Sequence, residues 1–206
     1  MERTARIDEA KKIFGNNFIG REELSGISER MGISLPQEMP QIPFAIEHLK
    51  EKSADYLLIL GVSRLANGMP LTLASLRARF GIDPSKMEPC FYNQDWYLKE
   101  SFVQKVLEDK WLLVRKSIFD DSRSKDPDIL IKTHVFPSAV SCAYTFFANW
   151  YHSGEPLWSQ DFVWCDDVDH NGDRIYIGRY YDTSGTNKNG LNIHRHLRIQ
   201  DNYGCV

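Results

Sequence analysis

The chain has 206 residues, 42% of them hydrophobic and 26% charged, and its 25 Lys and Arg against 28 Asp and Glu leave a formal net charge of −3. That length and apolar share are enough to bury a core, which excludes a disordered chain and any need for stabilising disulfides. The mild acidity supplies no general basic field for nucleic acid and leaves such binding to a local patch.

The N-terminal 36 residues predict helices. Ile7, Ala10, Lys11 and Phe14 lie on one stripe, Gly15-Asn16-Asn17 interrupts it, and Leu24, Ile27 and Met31 resume it ahead of Gly32. Leu73, Leu76, Arg79, Phe80, Gly81 and Ile82 repeat the layout of Leu24, Ile27, Arg30, Met31, Gly32 and Ile33. Short helices ending in Gly-Ile with an Arg in the last turn are also the layout of helix-turn-helix units, so a DNA-associated regulator using the N-terminal helices is one reading.

Between the two copies, Pro36, Pro40 and Pro43 punctuate a connector, 44–52 reads as a short helix and 56–61 as a buried strand. Its core, Tyr56 to Leu60, is the longest clean apolar run, far below the roughly 20 residues that span a bilayer. The first residues mix acids and bases without an apolar stretch, so no secretory signal or membrane partner is expected and the setting is read as cytoplasmic. Cys90, Cys142, Cys165 and Cys205 form no Cys-x-x-Cys pair and read as reduced, structural thiols.

Beyond residue 90 the pattern predicts an amphipathic helix over 95–109 burying Leu98, Phe102, Val103, Val106 and Leu107, then a strand over 111–114 and a polar loop over 117–128. A second helix is expected over 137–152, started by Pro137, ended by Gly154, and carrying Val140, Ala143, Tyr144, Phe147 and Tyr151 on one face. The neighbouring Phe146, Trp150 and Trp158 have the spacing of core packing rather than of a ligand pocket.

Asn171-Gly172 between apolar runs at 161–168 and 174–182 signals a β-hairpin, and with those two residues at the turn centre His170 would face Asp173. That register places Phe162, Trp164, Val168, Ile175, Ile177 and Tyr181 on a core face. Asp167, Asp169, Arg174, Tyr176, Tyr180 and Asp182 fall on a solvent face. A third strand over 191–199 would direct Leu191, Ile193, Leu197 and Ile199 inward and Asn192, His194, His196 and Arg198 outward, with Arg195 out of pattern and in need of a partner.

The polar face so assembled is the candidate site. His194 and His196, two apart on a strand, point the same way and with Asp167 or Asp169 could hold a divalent metal. With Tyr176, Tyr180 and Asp182 they could instead supply a general acid and base. A sheet with one wetted face shows the same alternation with no function, and that reading outweighs the site. The run from Asp167 to Asp173 imitates half of a calcium loop, but its twelfth position is Gly178 where a Glu is needed, so calcium is not expected.

Arg174-Ile175-Tyr176-Ile177-Gly178-Arg179 resembles the second signature strand of GIY-YIG nucleases, whereas Phe162-Val163-Trp164 lacks the Gly and Tyr of the first and no later Glu follows. The run Trp-Leu-Leu-Val-Arg-Lys at 111–116, the aromatic helix ending near Ser153-Gly154-Glu155 and the Ile-Gly strand before Gly190-Leu191 resemble an uncharacterised bacterial protein family with no assigned activity. The likeness spans residues 111–191 and implies a bacterial intracellular setting.

Together these features predict an α+β fold: a helical N-terminal portion followed by an antiparallel sheet packed by two amphipathic helices. Residues 1–206 are expected to form one unit, mainly helical over 1–85 and α+β over 90–206, ending in an antiparallel meander. No phosphate loop, dinucleotide fingerprint or nucleophile elbow occurs, no cofactor is required, and a non-enzymatic binding or interaction module, with a protein partner among its candidates, is the favoured function. The alternative is a metal-dependent hydrolase, including a nuclease, built on His194, His196 and the hairpin carboxylates.

Overall fold

The α+β expectation holds in the computed structural model, which describes residues 3–182, 189–195 and 198–206. Six α-helices are described: α1 (Ile7–Phe14), α2 (Arg21–Met31), α3 (Ile46–Lys52), α4 (Leu73–Phe80), α5 (Pro127–Leu130) and α6 (Ala139–Ser153). The first sheet joins β1 (Phe18–Ile19), β3 (Tyr56–Leu60) and β5 (Trp111–Arg115), with β3 central, parallel to β1 and antiparallel to β5. A two-stranded ribbon pairs β2 (Ile33–Ser34) with β4 (Arg64–Leu65). The second sheet has the order β8 (Asn192–His194), β7 (Arg174–Gly178), β6 (Phe162–Val168), β9 (Tyr203–Gly204), and β9 runs parallel to β6. Neither larger sheet is purely antiparallel. Among the described residues no helix is long and apolar enough to cross a membrane.

The two portions read from the sequence interleave. β5, from the C-terminal portion, completes the sheet that β1 and β3 begin, and α6 packs against α2 and α4 as well as against β6 and β7. Every residue of α6 from Ala139 to Asn149 is buried, which suits a helix apolar on all sides. Its ends follow local chemistry: the Ser138 hydroxyl accepts from the Ser141 N–H, and Gly154 closes the helix in the left-handed conformation. Phe147 stacks on Phe80 of α4 at 3.9 Å between ring centroids, and the Tyr144 hydroxyl donates to the Leu60 carbonyl at 2.8 Å. α1 buries Ala10 and Phe14 but leaves Ile7 exposed, so its stripe is narrower than expected.

The helix expected over 95–109 is not formed. Two 3₁₀ turns, 96–99 and 101–104, are separated by Glu100 in extended backbone at φ −79° and ψ 147°. Leu98 and Val106, assigned to the buried stripe, are exposed, and Val106 instead bridges Thr72. The cause is tertiary: Glu100 is buried and reaches the hairpin tip, and Lys105 ion-pairs with Asp166 and Asp167, which a continuous helix would not permit.

The hairpin forms with a shifted turn. The Gly172 N–H donates to the Asp169 carbonyl and the Asp169 N–H to the Asp173 carbonyl, each at 3.0 Å, so His170 and Asn171 are central and Gly172, at φ 89°, supplies the left-handed third position. This is the three-residue loop with a glycine bulge, not the two-residue turn. β6 carries extra residues between Trp164, opposite Tyr176, and Val168, opposite Arg174. That irregularity brings Asp166 N–H to the Pro137 carbonyl and Asp167 to the first N–H of α6.

The faces change accordingly. Val163, Cys165, Ile175, Ile177 and Ile193 join the main core, whereas Phe162, Trp164 and Tyr176 share the other face. Tyr176, expected to meet water, thus joins Phe162 and Trp164, expected inward, in a second, aromatic core closed by Tyr203, Cys205, Leu130 and Phe136. The Tyr176 ring lies 4.9 Å from Trp164 and 5.2 Å from Phe162. The continuous apolar run 162–165 is the sequence sign of a strand buried on both faces.

Candidate functional site

The sequence-derived candidates separate into four environments. Asp167 is buried at the start of α6, where one oxygen accepts from the Ala139 N–H at 2.6 Å and the other from Lys105 at 3.1 Å.

 Burial pushes its carboxyl above the ordinary range, against the pull of that N–H and of Lys105, so Asp167 serves the start of α6. Tyr176 lies in the aromatic core, and Tyr180, fully buried against Phe146 and Trp150, donates its hydroxyl to Glu88 at 3.1 Å. Asp169 belongs to a charged cluster, and His194 and Asp182 line a cleft. His196 lies outside the described residues.

The charged cluster forms where the hairpin tip meets the 3₁₀ segment. One Asp169 oxygen accepts from the N–H groups of Asn171 and Asp173 at 2.9 and 2.8 Å, and the other accepts from the Arg195 guanidinium. Glu100 accepts from the His170 N–H at 3.0 Å, contacts His170 Nδ1 at 2.7 Å and accepts from Arg195 at 3.4 Å. Arg195 also lies over the Trp96 ring, 4.4 Å from its centroid. Burial works to raise the Asp169 carboxyl, but the two N–H groups and Arg195 together hold it below the usual range. Among the described residues, Glu100, Asp169 and His170 are the one set of three ligand-type side chains whose atoms lie within 4.8 Å of one another. Arg195 already supplies the positive charge that a metal would bring there, so the cluster reads as a buried ion-pair network. This is the partner that Arg195 needed.

The cleft has a volume of 290 Å³ and is lined by Tyr92, Gln94, Phe162, Arg179, Asp182, Asn192 and His194. Its walls follow from the second sheet. β8 carries Asn192 and His194, Arg179 follows the last residue of β7, and the chain from Cys90 runs beside β8 through hydrogen bonds of Leu191 N–H to the Cys90 carbonyl and Tyr92 N–H to the Leu191 carbonyl. Gly190 permits that approach, because a Cβ there would lie 2.4 Å from the Tyr92 nitrogen.

Arg179 has φ 44°, a left-handed conformation that costs a non-glycine residue on the order of 1–3 kcal/mol. Its N–H holds the turn by donating to the Trp158 and Asp161 carbonyls at 2.9 and 2.8 Å. Its guanidinium makes no hydrogen bond or ion pair with any of the described residues. Asp182 lines the same cleft and is engaged in an interaction of its own.

The Gln94 carboxamide and His194 Nε2 are hydrogen-bonded at 2.8 Å. Burial, and then the charge of Arg179, lower the His194 pKa, so the imidazole is neutral near pH 7. The Gln94 carbonyl oxygen is buried and has no hydrogen-bond partner among the described residues. The cleft thus brings together an arginine on a left-handed backbone and an amide oxygen with no partner among the described residues, features of the kind that gather at functional sites.

Two other cavities are larger. The one at the C-terminal end of α6, 620 Å³, includes Lys116, Asn17 and Asn149. Three of its polar side chains bond within the fold, Lys116 donating to Asn17 Oδ1 and the amides of Asn17 and Asn149 to the carbonyls of Ser53 and Glu155, and Asn16, His152 and Glu155 line it as well. The other, 500 Å³, adjoins the cleft at Tyr92.

Of the arginines on the helices considered for DNA contact, Arg21 and Arg79 are used within the fold, whereas Arg30 is exposed and lies over the Tyr151 ring, 5.9 Å from its centroid. Arg21 donates to the carbonyls of Pro36 and Gln37, and Arg79 donates to those of Glu29 and Arg30 in the last turn of α2. α2 leads into β2 rather than into a second helix.

Sequence reasoning named His194 and Asp182 but not Arg179, Gln94 or Tyr92. The only sequence sign of Arg179 is its place directly after the Gly178 that ends β7. No protein-family model, curated protein or solved structure matches the chain.

Proposed function

We propose that the protein is a binding module that takes a small anionic ligand in the cleft beside Arg179, with His194, Gln94 and Asn192 as neutral polar neighbours. The observation that carries this reading is Arg179 itself, a guanidinium in a cleft wall with no carboxylate partner among the described residues, on a backbone held at φ 44°. Guanidinium donors match the oxygens of phosphate and carboxylate groups two at a time, and partial enclosure strengthens such bonds. A neutral imidazole suits a donor to an anion without adding a second fixed charge. The reading keeps the bacterial cytoplasm as its setting, in keeping with four unpaired, buried cysteines.

Calorimetric titration of the full chain with inorganic phosphate at low ionic strength tests it. Loss of charge-assisted hydrogen bonds worth about 1.5–3 kcal/mol in Arg179→Ala is expected to weaken binding about 10- to 100-fold. Arg179→Gly suits the left-handed backbone, so it should melt no lower than the parent and still lose the ligand. No binding to the parent, or equal binding to Arg179→Ala, would overturn the proposal.

A further inference from the structure

Tyr92 is a wall of two cavities. On one side lies the cleft of Arg179 and His194, and on the other the 500 Å³ cavity that Asp83, Lys86, Asn93 and Asn189 line. The Tyr92 backbone is fixed between them by its hydrogen bond to Leu191 and by the close approach of Gly190. The first cavity holds the Arg179 guanidinium, which has no hydrogen-bond or ion-pair partner among the described residues. The second is lined, beside Tyr92, by two carboxamides and by the Asp83 carboxylate, which accepts from Ser85 and pairs with the Lys86 ammonium at 3.4 Å.

Hydroxyl groups both donate and accept, as do carboxamides, and Asp and Lys supply one role each. An aromatic face complements the C–H surface of a sugar ring. We infer that the ligand is an anionic monosaccharide, its charged group at Arg179 and its hydroxyl-bearing ring beyond Tyr92 among Asp83, Lys86, Asn93 and Asn189. The inference rests on the anion-binding reading above. It adds that binding energy comes from both cavities at once, so that an anion alone fills only part of the site.

The experiment titrates the full chain with inorganic phosphate, glucose, glucose 6-phosphate and glucuronate. Glucose 6-phosphate or glucuronate is expected to bind at least about tenfold more tightly than phosphate and than glucose. The tighter of the two identifies whether the charged group is a phosphate or a carboxylate. In Lys86→Ala combined with Asn93→Ala, both exposed positions, the ratio of the phosphate to the anionic-sugar dissociation constant should fall toward one. Tyr92→Leu should lower the same ratio. Phosphate binding with no gain from either anionic sugar would overturn this inference and leave the anion site standing. So would a gain that survives all three substitutions. Binding of neither phosphate nor any anionic sugar would overturn both, and glucose binding as tightly as its phosphate would remove the anion from the ligand.

Discussion

Replacing Arg195 with alanine is expected to destabilise the protein by about 3–5 kcal/mol, the range for removing one partner of a buried ion pair and leaving the other charges uncompensated. The Asp169 side chain is fully buried and that of Glu100 is 8% exposed, so neither can turn to water when the guanidinium leaves. The same deletion removes the cation over Trp96 and the bridge between Asp169 and Glu100, leaving the bonds of His170 to Glu100 to hold the hairpin tip on the 3₁₀ segment. Denaturant unfolding at pH 7 measures it, and the deficit should shrink in acid as the Asp169 carboxylate, held below its usual range partly by Arg195, takes up a proton. A loss below about 1 kcal/mol would place Arg195 with exposed surface pairs.

Phe147→Ala is expected to cost a similar amount, about 3–5 kcal/mol, through lost transfer energy and a cavity in the centre of the molecule. Phe147 is fully buried, with ring centroids 3.9 Å from Phe80, 5.0 Å from Phe91 and 5.4 Å from Phe146. It therefore ties α6 both to α4 and to the strand-like segment that walls the cleft. Phe147→Leu, which leaves a smaller void, should recover much of the loss. Equal melting of Phe147→Ala and the parent would mean that α6 is not the shared centre of the two sheets.

What the sequence made legible was local. Ser138 and Gly154 bound α6, and Asn171-Gly172 marks a hairpin, because caps and turns depend on neighbouring residues alone. The same dipeptide could not tell a two-residue turn from the three-residue loop that forms. That shift, with the extra residues of β6, moved Trp164 opposite Tyr176 and brought that supposedly wet tyrosine into an aromatic core. Helical spacing over 95–109 was real but lost to tertiary bonds: Glu100 is held by His170 and Arg195, and Lys105 by Asp166 and Asp167. The cleft was half legible. Strand alternation found His194, whereas Arg179 enters the wall because the chain turns left-handed after β7, a conformation that no pattern of apolar residues encodes.

The central claim, an anion held between Arg179 and His194, is tested most directly by nuclear magnetic resonance titration of the His194 imidazole, assigned with His194→Gln. Without ligand its pKa should lie below the ordinary value of 6.5, because burial and the Arg179 charge both disfavour the imidazolium. A bound phosphate adds negative charge beside the ring and must raise that pKa, and by linkage phosphate must bind more tightly as pH falls through it. In Arg179→Ala the ligand-free pKa should already be higher and should respond only at phosphate concentrations about 10- to 100-fold higher than the parent needs. A His194 pKa that is the same with and without saturating phosphate, or that responds equally in Arg179→Ala, would contradict the account.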